Sequence, residues 1–160
     1  MRSGGKRATL FSAIPRLLHF IWRFTRGLTV GVRAVVIDGD NRVFLVKHRY
    51  AAGWHLPGGG VEPGESLLAA LTRELAEEGN IELLAPPLLH GVFYHPMYSK
   101  RDHIALYVVH AFRQKSSPAP SLEIVEHGFF APDALPADTT TSTGARIAEV
   151  LAGTAPPERW

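Results

Sequence analysis

Residues 59–81 run Gly59-Gly60-Val61-Glu62-Pro63-Gly64-Glu65-Ser66-Leu67-Leu68-Ala69-Ala70-Leu71-Thr72-Arg73-Glu74-Leu75-Ala76-Glu77-Glu78-Gly79-Asn80-Ile81. Pro57-Gly58-Gly59-Gly60 leads in and forces a compact bend, because glycine enters left-handed backbone at little cost. Glu62-Pro63-Gly64-Glu65 is a second turn. The spacing then predicts a helix from Ser66 to about Glu78, with Leu68, Leu71 and Leu75 on its buried stripe. Gly79 and Asn80 are both suited to ending it. On such a helix Glu74, Glu77 and Glu78 stand at i, i+3 and i+4, so three carboxylates share one side. Like charges so placed repel, and a cation beside them would neutralise the repulsion. With oxygen donors only, Mg²⁺ or Mn²⁺ fits better than a structural zinc. The Gly59 carbonyl could face the same ion. Glu65 sits eight residues before Arg73 and reaches it only by folding back from the turn. In that case Arg73 is a brace behind the ligands rather than a ligand.

Working outward, valine-rich Thr29–Ile37 reads as a strand and Asp38-Gly39-Asp40-Asn41 as a tight turn. Arg42–Lys47 reads as a second strand, alternating outward and inward. Tyr50–Gly53 is a loop, and Trp54–Leu56 a short strand. Beyond the helix, extended chain is expected at Ile81–Leu84, Leu88–Tyr94, His103–Phe112 and Glu123–Phe130, with a polar loop at Pro96–Arg101. A last helix is expected over Thr143–Leu151, with Ile147, Val150 and Leu151 inward, followed by a loose proline-rich tail. Many strands around a central and a terminal helix make an α/β fold, a mixed sheet between helices in an α/β/α sandwich.

The chain has 160 residues, 46% of them hydrophobic and 20% charged, which suits one soluble globular core. It has no cysteine, which excludes a thiol nucleophile, a disulfide scaffold and cysteine-ligated metal, and fits a cytoplasmic setting. Seven basic residues and no acid occur up to Arg33, whereas the rest carries ten basic and fifteen acidic residues. The division expected is a basic arm with an amphipathic helix over 1–27, a domain over 28–153 and a flexible tail over 154–160. Leu17, Ile21 and Phe24 share one face of that helix. Packing on the domain, a homodimer contact and a membrane-surface contact are all open from sequence, as is a touch on RNA. Arg16, His19, Arg23 and Arg26 interrupt the apolar stretch, so it reads as neither a signal peptide nor a spanning helix.

Gly59, Glu65, Arg73, Glu74, Leu75, Glu77, Glu78 and Ile81 together resemble the signature box of the Nudix hydrolases in residue type and spacing. That pattern has glycine where this chain has Asn80, and asparagine is the best other residue for a left-handed position. The strand pair before the box, the Pro57-Gly58-Gly59 entry and the late strand–corner–helix order also look like that fold. The resemblance implies Mg²⁺- or Mn²⁺-dependent hydrolysis of a nucleoside diphosphate linked to another moiety. It implies metal ligands at Glu74, Glu77, Glu78 and the Gly59 carbonyl. The ions would polarise phosphoryl oxygens and offset charge during in-line displacement by water. The general base falls among Glu77, Glu123 and Glu126, with Glu126 set at the pocket rim.

For the substrate, Arg33, Arg49 and Arg101 are the candidate phosphate contacts, with Lys47, His48 and Lys100 near them. Phe93, Tyr94, Phe129 and Phe130 are candidate base-stackers, although aromatic residues in strands are usually core. The partner expected is a small nucleotide-derived molecule, with no DNA. The alternative is a Nudix-like module that senses a nucleotide without cleaving it, but such a module is expected to lose box glutamates. No glycine run leads to Gly-Lys-Ser/Thr, and no serine has a nucleophile-elbow context, so P-loop and serine-hydrolase readings fail.

Overall fold

Valine-rich segments build the centre. The computed structural model describes residues 27–97, 99–118 and 123–160; the arm and helix expected before Gly27 lie outside them. β1 (Thr29–Val36) pairs in parallel with β6 (Asp102–Val109), and β5 (Leu88–Tyr94) runs antiparallel on the other side of β6. A second sheet has β2 (Val43–His48) between β3 (Trp54–His55) and β8 (Ile124–Phe130). β4 (Ile81–Leu83) pairs with β7 (Phe112–Gln114). The helices are α1 (Leu67–Gly79) and α2 (Thr141–Ala152).

The sheets separate two clusters. Val32, Ala34 and Val36 of β1 join Phe44, Val46, Ala105, Tyr107 and Val109 beneath α1. Val35 and Ile37 join Leu45, Phe93, Leu106 and Val108 beneath Ile147 of α2. Successive strand residues point to opposite faces, so β1 is apolar throughout because both of its faces are covered. The same physics corrects the expected alternation of the second strand: Val43, Phe44, Leu45 and Val46 are all fully buried.

α1 begins at the Ser66 cap, whose hydroxyl accepts from the Ala69 amide, and ends at Asn80 in left-handed conformation (φ 51°). Asparagine thus takes the position expected of it. The buried stripe runs through Ala70, Leu71, Leu75 and Glu78, while Leu68, expected inward, lies on its flank and is 45% exposed. α2 starts two residues earlier than expected, at the Thr140 cap, and buries Arg146 beside Ile147 while Leu151 turns outward. The single strand expected over His103–Phe112 is two, β6 and β7, because Phe112 changes partner to β4.

The tail expected to be loose docks on β5. The Tyr94 amide donates to the Glu158 carbonyl at 2.8 Å, and the Trp160 amide donates to the Tyr94 carbonyl at 3.1 Å. Arg146 places its guanidinium 4.8 Å from the Phe93 ring centroid and 5.8 Å from that of Trp160. Its Nη1 donates to the Arg159 carbonyl. A buried arginine with two aromatic neighbours is invisible in helix periodicity. Among the described residues no helix is long and apolar enough to cross a membrane.

Candidate active site

The glycine segment is fastened along β1. The Ala34 amide donates to the Pro57 carbonyl, Val32 to Gly59, and Val61 back to the Val30 carbonyl, at 2.9–3.0 Å. Two glycines matter here, Gly58 for its backbone and Gly59 for the place of the Glu74 side chain. Gly58 has φ 136°, and a Cβ there would strike the Val32 carbonyl. A Cβ at Gly59 would strike the Glu74 carboxylate. The bend therefore brings backbone against α1 acids as closely as atoms allow.

Arg73 organises the rim. Its Nε and Nη2 donate to the two Glu65 carboxylate oxygens at 3.0 Å, Nη2 also donates to the Gly60 carbonyl, and Nη1 donates to Glu74 at 2.6 Å. Glu65 does fold back from its turn, and its carboxyl is held below the usual range chiefly by Arg73. Arg73 thus sits among acids, in the place expected of a brace.

Glu78 lies deeper and is 7% exposed. The Gly58 amide donates to Oε2 at 2.7 Å, and His48 Nε2 lies 3.5 Å from Oε1. Burial pushes the Glu78 carboxyl up to about 7, and Glu74 and Glu123 push the same way; the Gly58 hydrogen bond and the Arg33 charge oppose them. His48 is itself driven down to about 4 by burial, then by Arg33 and His55. At neutral pH it is uncharged, so Glu78 has no cationic side chain bonded to it.

The sequence candidates divide. Glu74 and Glu78 come together at the glycine bend, each against a different glycine. The Glu77 side chain is 61% exposed, with an oxygen 3.6 Å from Arg73 Nη1. Arg33 acts electrostatically on Glu78, and its Nη1 is buried without a hydrogen-bond partner. The Arg49 amide donates to the Glu123 carbonyl at 2.8 Å. Arg101 is exposed, and its carbonyl accepts from Thr29 at the start of β1. Glu126 is not brought to the glutamates. It stands opposite Lys47, whose ammonium bonds Asp138 before α2, whereas neighbouring His48 turns to Glu78. Lys47 and His48 face opposite ways, and Glu126 goes with Lys47. A register shift between those two residues pairs His48 with Ile124 instead, and the charge of Glu123, one residue before it, acts on Glu78. Sequence reasoning missed the packing of His48 on Glu78, because the pairing partner that turns it inward is not encoded locally.

Among the described residues no three His, Asp or Glu side chains are already gathered in ligating geometry. The donor chemistry nevertheless suits a hard cation: oxygen ligands on one bend, one of them desolvated and short of positive charge. The Gly59 carbonyl already accepts from Val32, and a carbonyl oxygen has a second lone pair to offer.

Comparison with known proteins agrees with this geometry. The NUDIX domain model matches residues 27–151, and the chain belongs to that family. A MutT NUDIX hydrolase from Burkholderia pseudomallei superposes with a TM-score of 0.65 at 30% identity, over 76% of this chain and 97% of that one. A Bacillus subtilis (strain 168) protein, provisionally named an 8-oxo-dGTP diphosphatase, is 33% identical over 48% of this chain and 50% of its own length. An RNA pyrophosphohydrolase of Pelagibacter ubique (strain HTCC1062) is 44% identical over 32% of this chain and 34% of its own. The match therefore spans half or less of these two curated relatives.

Proposed function

We propose that this protein hydrolyses the phosphoanhydride bond of a nucleoside diphosphate linked to another moiety, a further phosphate included. The observation that carries the reading is Glu78, a buried carboxyl beside Glu74 on which Arg33 acts only from beyond ion-pair distance and whose near neighbours are a backbone amide and a neutral imidazole. Glu74 and Glu78, with the Gly59 carbonyl and Glu77 at the rim, are the residues that would hold Mg²⁺ or Mn²⁺. The bound cation would polarise phosphoryl oxygens and offset developing charge. Arg73 keeps the bend and Glu74 in place through its bonds to Glu65 and Gly60. The unpartnered Arg33 Nη1, whose charge acts on Glu78, is the candidate to donate to a phosphate oxygen. Water forms the new P–O bond as the bridging P–O bond breaks, and the water's proton must pass to a base. Glu123 is favoured over Glu126 for that role because its charge acts on Glu78, while Glu77 is the alternative within the box.

The activities named for the relatives support pyrophosphate cleavage, and the intact box glutamates count against a purely sensing module. The excess of basic residues up to Arg33 supports an added contact of that segment with an anionic surface, lipid or RNA. Deleting residues 1–26 should weaken binding to anionic vesicles or RNA; unchanged binding removes that role.

The deciding experiment offers nucleoside triphosphates, including an oxidised purine, nucleotide sugars, ADP-ribose, dinucleoside polyphosphates and 5′-triphosphorylated RNA with Mg²⁺ or Mn²⁺. Mass analysis should find products cut at the anhydride. Turnover of none of them, with either metal, overturns the reading.

A further inference from the structure

The aromatic residues first considered for stacking a base are occupied elsewhere. Phe93 is fully buried against Arg146 and Trp160. Phe129 packs on Phe44 and Phe112, and Phe130 on Trp54. Tyr94 lies between His103 and Arg159. A different ring occupies the site. Tyr50 follows β2 by two residues and is 74% exposed, yet its ring centroid is 5.1 Å from that of His48 with 32° between planes. That same imidazole touches Glu78.

We propose that Tyr50, backed by His48, is the surface on which the planar base of a nucleotide stacks, next to the carboxylates that hold the metal. This rests on the pyrophosphohydrolase reading and adds to it the moiety recognised. Three observations support it. An exposed aromatic ring over a buried support has solvent on its free side, and base–aromatic stacking is favourable for every base. Through His48 the Tyr50 ring is one side chain away from Glu78, and burial with the charges of Glu123, Glu78 and Glu74 raises its hydroxyl above the ordinary value while Arg33 opposes them. The loop is also held at both ends: the Arg49 amide bonds the Glu123 carbonyl, His55 Nε2 meets the Ala52 carbonyl at 2.9 Å, and the Trp54 amide bonds the Asp138 carbonyl. A ring presented on a fastened loop loses little freedom when a ligand lands on it.

Tyr50 carries no core packing, so its replacement leaves the fold intact. The test measures equilibrium binding, with Mn²⁺ present, of α,β-methylene-ADP and of its base-free counterpart, methylenediphosphonate. Tyr50→Leu should weaken the nucleotide analogue about tenfold and the diphosphonate less than twofold. Tyr50→Phe, which keeps the π-face, should match the wild type for both. Equal weakening of both ligands by Tyr50→Leu, or no weakening of the nucleotide, overturns the stacking role while pyrophosphate hydrolysis still stands. A wild-type protein that binds neither analogue and hydrolyses no anhydride overturns both readings.

Discussion

Glu78 and Glu149 have the same side-chain exposure, 9%, and opposite surroundings. On α2, Glu149 receives Arg146 Nη2 at 3.0 Å and His90 Nε2 at 2.7 Å, and Arg146 is in turn covered by Phe93 and Trp160. On α1, the nearby arginine is spent on Glu65, Glu74 and Gly60 at the rim, leaving Glu78 a backbone amide and a neutral imidazole. The fold can bury an acid with its counter-charge, and does so where it needs only rigidity. At the glycine bend it withholds that counter-charge. A buried charge without a close partner is unfavourable, and the proposed cation would relieve that cost at Glu78 while Glu149 has no need of one.

The same substitution at both places should separate the two roles. Glu78→Gln should lower turnover roughly a thousandfold, since metal charge stabilisation is worth several kcal/mol. Undiminished turnover at saturating Mg²⁺ would take Glu78 out of the metal set. Glu149→Gln should leave turnover per folded molecule near wild type but lower unfolding free energy by about 3–5 kcal/mol, because Arg146 stays buried without its acid. Urea titration measures this, and a loss under about 1 kcal/mol would mean the α2 pair behaves as a surface pair.

A smaller effect sharpens the contrast by pH. Without metal, an unfolded Glu78 sheds its proton near 4.5, whereas the folded one keeps it to about 7. Between those values the folded state binds more protons, so this group's contribution to stability falls as pH rises, by at most about 1.4 kcal/mol per unit. His48 acts oppositely: its folded value near 4 lies below its ordinary 6.5, so stability rises with pH across that window. The two slopes oppose each other in the wild type. The clean measurement is therefore the difference in Tm between wild type and Glu78→Gln, which should move against the wild type from pH 4.5 to 7 and shrink when Mn²⁺ is added. A difference flat in pH would mean that Glu78 is solvated. The smallest effect expected is at Leu68: Leu68→Ser should change stability by no more than about 0.5 kcal/mol, and a core-sized loss would restore it to the buried stripe.

The parts legible in the sequence were those set by neighbours along the chain. The acid triplet, the glycine bend, the Asn80 stop and the Arg73–Glu65 clasp all depend on spacing within one short segment. What could not be read depends on partners far away. The period that fits Leu71 and Leu75 also puts Leu68 inward, but the exact phase is chosen by the sheet beneath. That Glu126 pairs with Lys47 while His48 pairs with Ile124 is not legible either, because nothing local reports the register shift between Lys47 and His48. The fully buried β2 looked half-exposed because Arg42 and Lys47 bracket it, and only sheet order reveals that both faces are covered. The Phe93–Arg146–Trp160 stack joins β5, α2 and the tail, a contact that no periodicity encodes.

The lacing of the glycine bend to β1 ties the glutamate cluster to a strand at the centre of the hydrophobic core. Val32 and Ala34 donate their amide protons outward to Gly59 and Pro57, from a strand whose other edge is locked to β6. Those protons exchange with solvent when the bend lets go of β1. An ion gripping Glu74 and Glu78 would accordingly slow deuterium uptake at Val32 and Ala34, so that occupancy of the site is reported from inside the hydrophobic core.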